Sequence, residues 1–228
     1  MVAQMNAKPH PAAHWPLALL LLLSSAGGAS AMDCLQSEPS GVATVTGTGR
    51  AYFHGDAAVC PNQQAYCLKR AHVIAADRVL TSGGSQDGFT CVFFPGKNTT
   101  TTGWIETRRL RPEPVNPSPP PSEWVGAWNS EGVMRIEVSR DQGGLRAAGL
   151  ADWDSGDGFD DRGTVALPGR NHHAEFSGPL NMIGDQARLS DGACAVELTL
   201  LGDFLIVEDD NSCGDGNTSF RGIYRRMP

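Results

Sequence analysis

The chain has 228 residues, with 18 Lys and Arg against 25 Asp and Glu, a net charge of −7, and 27 Gly and 15 Pro. A net acidic chain lacks the basic footprint of nucleic-acid binding, and its Gly and Pro together stay below the roughly 25–30% of low-complexity chains. Its 40% hydrophobic content is enough to bury a core, and its length allows one or two domains.

Residues 1–31 read as a secretory signal peptide. Lys8 is the only charged residue before Asp33, Pro16–Leu23 is a short apolar run, and small residues lead to Ala29-Ser30-Ala31. The run is shorter than the about 20 apolar residues a bilayer span needs. The expectation is cleavage after Ala31, no transmembrane segment in the mature chain, and a periplasmic or extracellular location. Met32-Asp33 ahead of Cys34 fits a lipoprotein site badly. Cleavage leaves 197 residues and a net charge of −8.

Six cysteines follow: Cys34, Cys60, Cys67, Cys91, Cys194 and Cys213. An even count in an exported chain predicts disulfides. The spacings contain no C-x-x-C and no paired His at ligand spacing. His172 and His173 are adjacent and on a strand would point to opposite faces, so no zinc or other metal is expected.

Both halves of the mature chain read as β. They are divided by the segment 111–122, in which six of twelve positions are Pro. Such a stretch cannot support a regular hydrogen-bond ladder and favours an extended spacer. The expected organisation is 34–111, a Pro-rich linker over 112–122, and 123–228. In the second half Met134–Val138 alternates apolar and polar, the strand period, and Leu145–Trp153, Thr164–Leu167 and Ala174–Phe176 are further short candidates. No helix with caps is evident after the signal. Short strands with turn signals at near-regular spacing point to sandwiches or barrels.

One hairpin can be put in register. Cys194–Leu201 is followed by Gly202-Asp203, which suits a two-residue type II′ turn, and then by Phe204–Val207. The pairing 201 with 204, 200 with 205 and 198 with 207 puts Leu198, Leu200, Leu205 and Val207 on one face, and Glu197 and Thr199 on the other. It also puts Cys194 opposite Asn211, two residues from Cys213, which predicts a Cys194–Cys213 disulfide.

The first half resembles a bacterial SH3-like domain. The resemblance rests on Gly49-Arg50-Ala51-Tyr52-Phe53-His54, Gln64–Leu68 with Val73-Ile74, Gly88–Phe94, and the closing Thr102-Gly103-Trp104-Ile105 with Leu110. It implies a small closed β-barrel that binds cell wall or protein. It also implies the pairing Cys60–Cys91, since it places one on a loop and the other on a facing strand, which leaves Cys34 for Cys67. Tyr52, Phe53 and Trp104 are candidates to line a ligand groove; the alternative is that they pack the core of a small barrel.

The second half resembles up-and-down barrels of lipocalin or avidin type. Gly126-Ala127-Trp128 matches the Gly-x-Trp opening, and Tyr224-Arg225-Arg226 supplies a basic residue of the kind that stacks on that Trp. The ending 210–226 also resembles the C-terminal signature of small exported bacterial proteins of undefined function. Together the two resemblances imply an all-β chain of two small antiparallel barrels, SH3-like and then up-and-down, joined by the Pro-rich linker.

Signals for chemistry are few. The acidic run Asp152–Asp161 invites calcium, but counting from Asp152 the fifth position is Gly156 and the twelfth is Gly163, where the EF-hand pattern needs a bidentate Glu. A solvated turn fits it better, as it does Glu208–Asn211 with Asp215. There is no Gly-x-Ser-x-Gly and no His-Glu-x-x-His. Cys91 beside His72 or His54 would make a nucleophile only as a free thiol, and a bridged cysteine is expected instead. The sequons at Asn98 and Asn217 read as incidental. The expectation is a non-enzymatic envelope binding protein without cofactor, whose first domain takes peptidoglycan or an envelope protein. A small-ligand carrier using the second barrel is the alternative, and a cell-wall hydrolase a more distant one.

Overall fold

The computed structural model describes residues 33–56, 60, 64–96, 99–130, 134–154, 171–214 and 218–227. The strand candidate Thr164–Leu167 and most of the acidic run from Asp152 lie outside these residues or have undescribed side chains. The fold is all-β, with two antiparallel sheets. Helix is confined among the described residues to single turns, such as α1 (Gln64–Cys67) and α2 (Pro121–Trp124).

The first sheet has seven strands: β1 (Gly41–Val45), β2 (Arg50–His54), β3 (Leu68–Ile74), β4 (Arg78–Gln86), β5 (Phe89–Pro95), β6 (Thr100–Glu106) and β7 (Leu110–Glu113), in the order β3-β2-β6-β5-β4-β1-β7. Its central strands bury both faces. Ala43, Val45, Ala51, Phe53, Val73, Val79, Val92 and Ile105 form an apolar cluster on one side. Val42, Leu80, Phe89, Cys91, Phe93 and Trp104 form another with residues of the second sheet. β7 contains Pro112, which lacks an N–H and is tolerated because this strand is an edge.

The second sheet has nine strands: β8 (Gly126–Ser130), β9 (Met134–Asp141), β10 (Gly144–Asp154), β11 (Asn171–Pro179), β12 (Asn181–Ile183), β13 (Gln186–Asp191), β14 (Cys194–Leu201), β15 (Phe204–Asp209) and β16 (Gly222–Arg226). The order β11-β10-β9-β8-β16-β15-β14-β13-β12 is an up-and-down meander in which β16 joins β8. β11 and β12 are separated only by Leu180, so the chain itself nearly closes the ring. At this join Ser177 N donates to Asp191 Oδ2 at 2.8 Å. Inside, Trp124, Trp128, Ile136, Phe176, Leu198, Leu200, Phe220 and Tyr224 are buried in one cluster.

Alternation sets this interior. Along β9 Met134, Ile136 and Val138 are buried between exposed residues, and along β14 Cys194, Val196, Leu198 and Leu200 point inward. The β14–β15 register is the expected one, with Leu198 opposite Val207, Leu200 opposite Leu205 and Leu201 opposite Phe204. Gly202 has φ +62° while Asp203 does not have positive φ, as a type II′ turn requires.

Gly126 holds φ +147°, and a Cβ there would lie 2.9 Å from Arg226 Nη1. The guanidinium of Arg226 lies 4.2 Å over the Trp128 ring and donates to Val125 O at 2.5 Å and to Glu123 O. The opening Gly-Ala-Trp and the closing Arg226 are therefore one contact. Gly149 is needed for a different reason, because Phe176 lies across it and a Cβ would come within 2.2 Å of the ring.

The two sheets share a seam. Leu201, Phe204 and Ile223 point away from the barrel interior and join Val42, Leu80, Phe89, Phe93 and Trp104 in one buried cluster. Arg78 crosses the seam, pairing with Glu113 at 2.7 Å and with Asp203. The Pro-rich segment is packed along it. Val115 rests on the shared cluster, Pro119 is buried, and a Cβ on Gly184 would lie 2.9 Å from Pro117 O. Residues from Met32 onward form one compact unit.

Three disulfides are present. Cys194–Cys213 is the expected one. The pairings Cys60–Cys91 and Cys34–Cys67 are not formed; Cys34 joins Cys91 and Cys60 joins Cys67. The reason is local. Cys91 on β5 faces the shared cluster, which is capped by the short helical turn Cys34–Gln36, so Cys34 is its buried neighbour. Cys67 ends the α1 turn and Cys60 lies only seven residues before it. The resemblance that suggested the other pairing begins after residue 48 and carries no information on the segment holding Cys34.

Candidate functional site

The three aromatic candidates of the first half have different environments. Phe53 is buried in the cluster with Ala51, Val73, Val92 and Ile105. Trp104 is buried in the seam cluster, and its Nε1 donates to Asp56 Oδ1 at 2.8 Å. Tyr52 alone faces outward, 37% exposed, with its ring 5.5 Å from that of His72. Alternation along β2 explains the split: Ala51 and Phe53 face in, Arg50 and Tyr52 face out.

Directly opposed residues of an antiparallel pair share a face. β2 and β3 pair Arg50 with Ile74, Tyr52 with His72, and His54 with Leu68. The outward face of this ribbon is thus Arg50, Tyr52, Leu68, Arg70, His72 and Ile74, all exposed, while His54 on the same face is buried against Phe89. Leu68 and Ile74 are 52% and 53% exposed, and Tyr66 just before them is 83% exposed. Of nine large hydrophobics exposed among the described residues, four lie between Tyr52 and Ile74, so this is a patch.

The ribbon borders a cleft. β2 meets β6 at the single pair His54–Trp104. Arg109 ties its own turn to the β1–β2 turn, with Nε donating to Thr46 O at 2.7 Å and Nη2 to Gly49 O at 3.3 Å. Between these ties the strands diverge and leave a cavity of about 470 Å³, lined in part by Arg50, Tyr52, Leu68, Ile105 and Glu106. Glu106 is engaged by Arg108 at 2.9 Å. Among the described residues neither Arg50 nor Arg70 has a carboxylate partner.

Beside it lies a carboxylate pair. Asp33 and Asp56 share a hydrogen bond, and this bond is the main cause that holds the Asp33 carboxyl above its ordinary value, with repulsion from Asp56 adding to it. Burial pushes Asp56 up, but bonds from Asp33, Leu35 N, Trp104 Nε1 and Cys34 N outweigh it and leave Asp56 below the ordinary value. This pair anchors the helical turn carrying Cys34 to β6.

A second cavity, about 350 Å³, lies at the seam and is lined in part by Asp77, Arg78, Phe94, Phe204 and Arg225. The Arg225 guanidinium sits 4.9 Å from the Phe94 ring centre and 5.5 Å from that of Phe204. Burial against these rings, with repulsion from Arg78, holds its pKa below the ordinary arginine value despite attraction from Asp77.

The acidic residues near the C-terminus have structural partners. Asp209 is buried and accepts from Ser219 Oγ and Phe220 N, each at 2.7 Å. Glu208 pairs with Arg221 at 2.5 Å, and Asp210 accepts from Ser212 N at 3.0 Å; Asp215 lies outside the described residues. Cys91, imagined as a nucleophile, is bridged to Cys34. Among the described residues no helix is long and apolar enough to cross a membrane.

Sequence reasoning singled out Tyr52, weighed His72 only as a partner for Cys91, and missed Leu68, Arg70 and Ile74. The signal was present: Leu68–Ile74 has apolar residues in both alternation registers, and one register has to face outward. Comparison with protein-family models, with curated proteins and with solved structures returns no match.

Proposed function

We propose that this chain is an exported, non-enzymatic binding protein of the bacterial envelope, and that its first sheet carries the binding face for cell-wall peptidoglycan or an envelope protein. The observation that carries the reading is the outward face of the β2–β3 ribbon. There Tyr52, Leu68 and Ile74 are exposed together, with Arg50 and Arg70 in no ion pair among the described residues, beside an open cleft. Exposed aromatic and aliphatic anchors flanked by cations are what a recognition surface needs. The barrel gives less support to the carrier reading, because its interior is occupied by its own side chains.

Export is inferred from the signal-like residues 1–31 and is supported by the three disulfides. N-terminal sequencing of the exported product should read Met32-Asp33-Cys34. For binding, the purified mature chain is incubated at low salt with cell-wall sacculi and with envelope extract. Retention on one of them, reduced by the double substitution Tyr52→Ala, Leu68→Ser, is the expected result. No retention on either overturns the reading.

A further inference from the structure

The β2–β3 ribbon ends in an open sheet edge. β3 is terminal in its sheet, and among the described residues no strand pairs with its far side. The other edge, β7, is only four residues long and contains Pro112, which blunts it. β3 has seven residues and no proline.

Four contacts bear on which backbone groups point outward. Cys67 O accepts Gly55 N, toward the β2 side, at 2.6 Å. Ile74 turns instead to the next loop, with its N–H on Asp77 Oδ2 at 2.8 Å and its carbonyl accepting Asp77 N at 3.1 Å. The carbonyl of Arg70 is met by His72 Nδ1 at 3.3 Å. Backbone groups alternate sides along an antiparallel strand. Cys67 and Val73 therefore serve β2, and Arg70 and His72, of the opposite parity and with exposed side chains in step with Leu68 and Ile74, present backbone groups to the outside. The register shift in the ribbon takes four steps on β3 for two on β2, which preserves this parity.

We propose that this edge binds an extended polypeptide segment as an eighth, antiparallel strand, with an acidic side chain opposite Arg70 and apolar side chains opposite Leu68 and Ile74. Charge selects the occupant. β3 carries Lys69 and Arg70 and no carboxylate. Lys69 is already bonded to Thr102 O at 2.9 Å, so Arg70 is the cation left for a partner. A second copy of β3 centred on Ala71 would set Arg70 against His72 and add cations without a counter-charge, which disfavours self-pairing. An acidic strand supplies the missing charge, and its main chain bonds the outward N–H groups of Arg70 and His72 and the His72 carbonyl, sharing the Arg70 carbonyl with His72 Nδ1 or displacing it. Strand addition of this kind takes affinity from main-chain bonds and specificity from alternate side chains. The proposal rests on the binding reading above and narrows it to a peptide ligand.

The probe is a fluorescein-labelled, end-capped heptapeptide Val-Thr-Thr-Val-Glu-Thr-Leu, which places Glu opposite Arg70 in antiparallel register. Binding to the mature chain is read by anisotropy, and its location by hydrogen exchange. The expected result is binding with slowed exchange confined to residues 68–74, weakened at least tenfold by Arg70→Glu. Binding to that variant should be restored by the peptide with Lys in place of Glu. Arg70 is exposed, so the variant keeps its fold, which circular dichroism verifies. No binding at millimolar peptide, an affinity indifferent to Arg70→Glu, or protection elsewhere overturns the proposal. Retention of the wild-type chain on sacculi or envelope proteins in the face of such a failure would preserve the broader binding function and eliminate strand addition alone.

Discussion

The two sheets bury their strands differently. In the barrel, away from the seam, one face of a strand is dry and the other wet, and the burial of β9, β13 and β14 alternates accordingly. In the first sheet the central strands are covered on both sides, so consecutive residues go to opposite clusters: Val42 and Ala43, Val79 and Leu80, Trp104 and Ile105. A strand covered on both faces reads as a continuous apolar run, as in Phe89–Pro95. The contrast extends to charge. Residues 33–113 hold eight Lys and Arg against seven Asp and Glu, and residues 123–228 hold nine against eighteen. The exposed cations Arg50 and Arg70 thus lie on the less acidic half. The difference teaches that the first sheet is defined as much by what lies against it as by its own pattern.

The sharpest way to break the comparison is at the seam. Phe204→Ala removes a ring shared by both sheets and should cost about 3–5 kcal/mol. Because the cluster is common, the loss should appear as one shifted transition in chemical denaturation, followed by tryptophan fluorescence and by circular dichroism. Two separated transitions would mean that the sheets are stabilised independently.

The disulfides come next. Loop-closure entropy gives about 4 kcal/mol for Cys34–Cys91, which encloses the longest loop, and about 3 kcal/mol for Cys194–Cys213. Paired Cys→Ser variants should follow that order in denaturation midpoint. The reverse order would mean that the Cys34 turn contributes little to the first sheet.

A smaller effect is expected at Glu113. Its carboxyl is held below the ordinary value by hydrogen bonds, first from Arg78 and then from Thr44. A depressed carboxyl stabilises above its unfolded pKa, and that contribution is lost as pH falls through the folded value. Glu113→Gln should cost about 1 kcal/mol at pH 7, since the pair is partly exposed, and the gap from wild type should close in acid. Urea titrations at a series of pH values measure it.

The smallest effect has the opposite sign. Asp33 is raised, so its contribution is present only when it is protonated and is lost as pH rises through the folded value. Asp33→Asn keeps the acceptor for Leu35 N and removes the repulsion with Asp56. The variant should melt slightly above wild type at neutral pH, with the difference vanishing as pH falls through the Asp33 value. A lower melting temperature at neutral pH would contradict this account of the pair.

The legibility of each region follows the same physics. The β14–β15 register and its disulfide were readable because a two-residue turn and strict alternation leave one solution. The stacking of Arg226 on Trp128 was readable from two short motifs. The first sheet gave up its β character but not its cysteine pairing, because Cys34 lies ahead of the first strand and its partner is set by a tertiary contact. Leu201 and Phe204 look like ordinary core residues in one dimension; only the seam shows that they belong to a second core. For β3 the sequence signals that one apolar register must face outward, since hydrophobic residues occur in both, but nothing local says which of the two it is.

The junction of β16 with β8 also governs when this molecule can form. The strand that joins β8 is the last of this sheet's nine in the order of synthesis, and it pairs with residues about a hundred positions earlier. Until it exists, β8 and β15 are raw edges, and the residues destined for the interior have no wall. Such first-to-last closure gives a high contact order and slow assembly. A nascent sheet of this design stays open until β16 is made, and deleting that strand is equivalent to removing a stave from a cask.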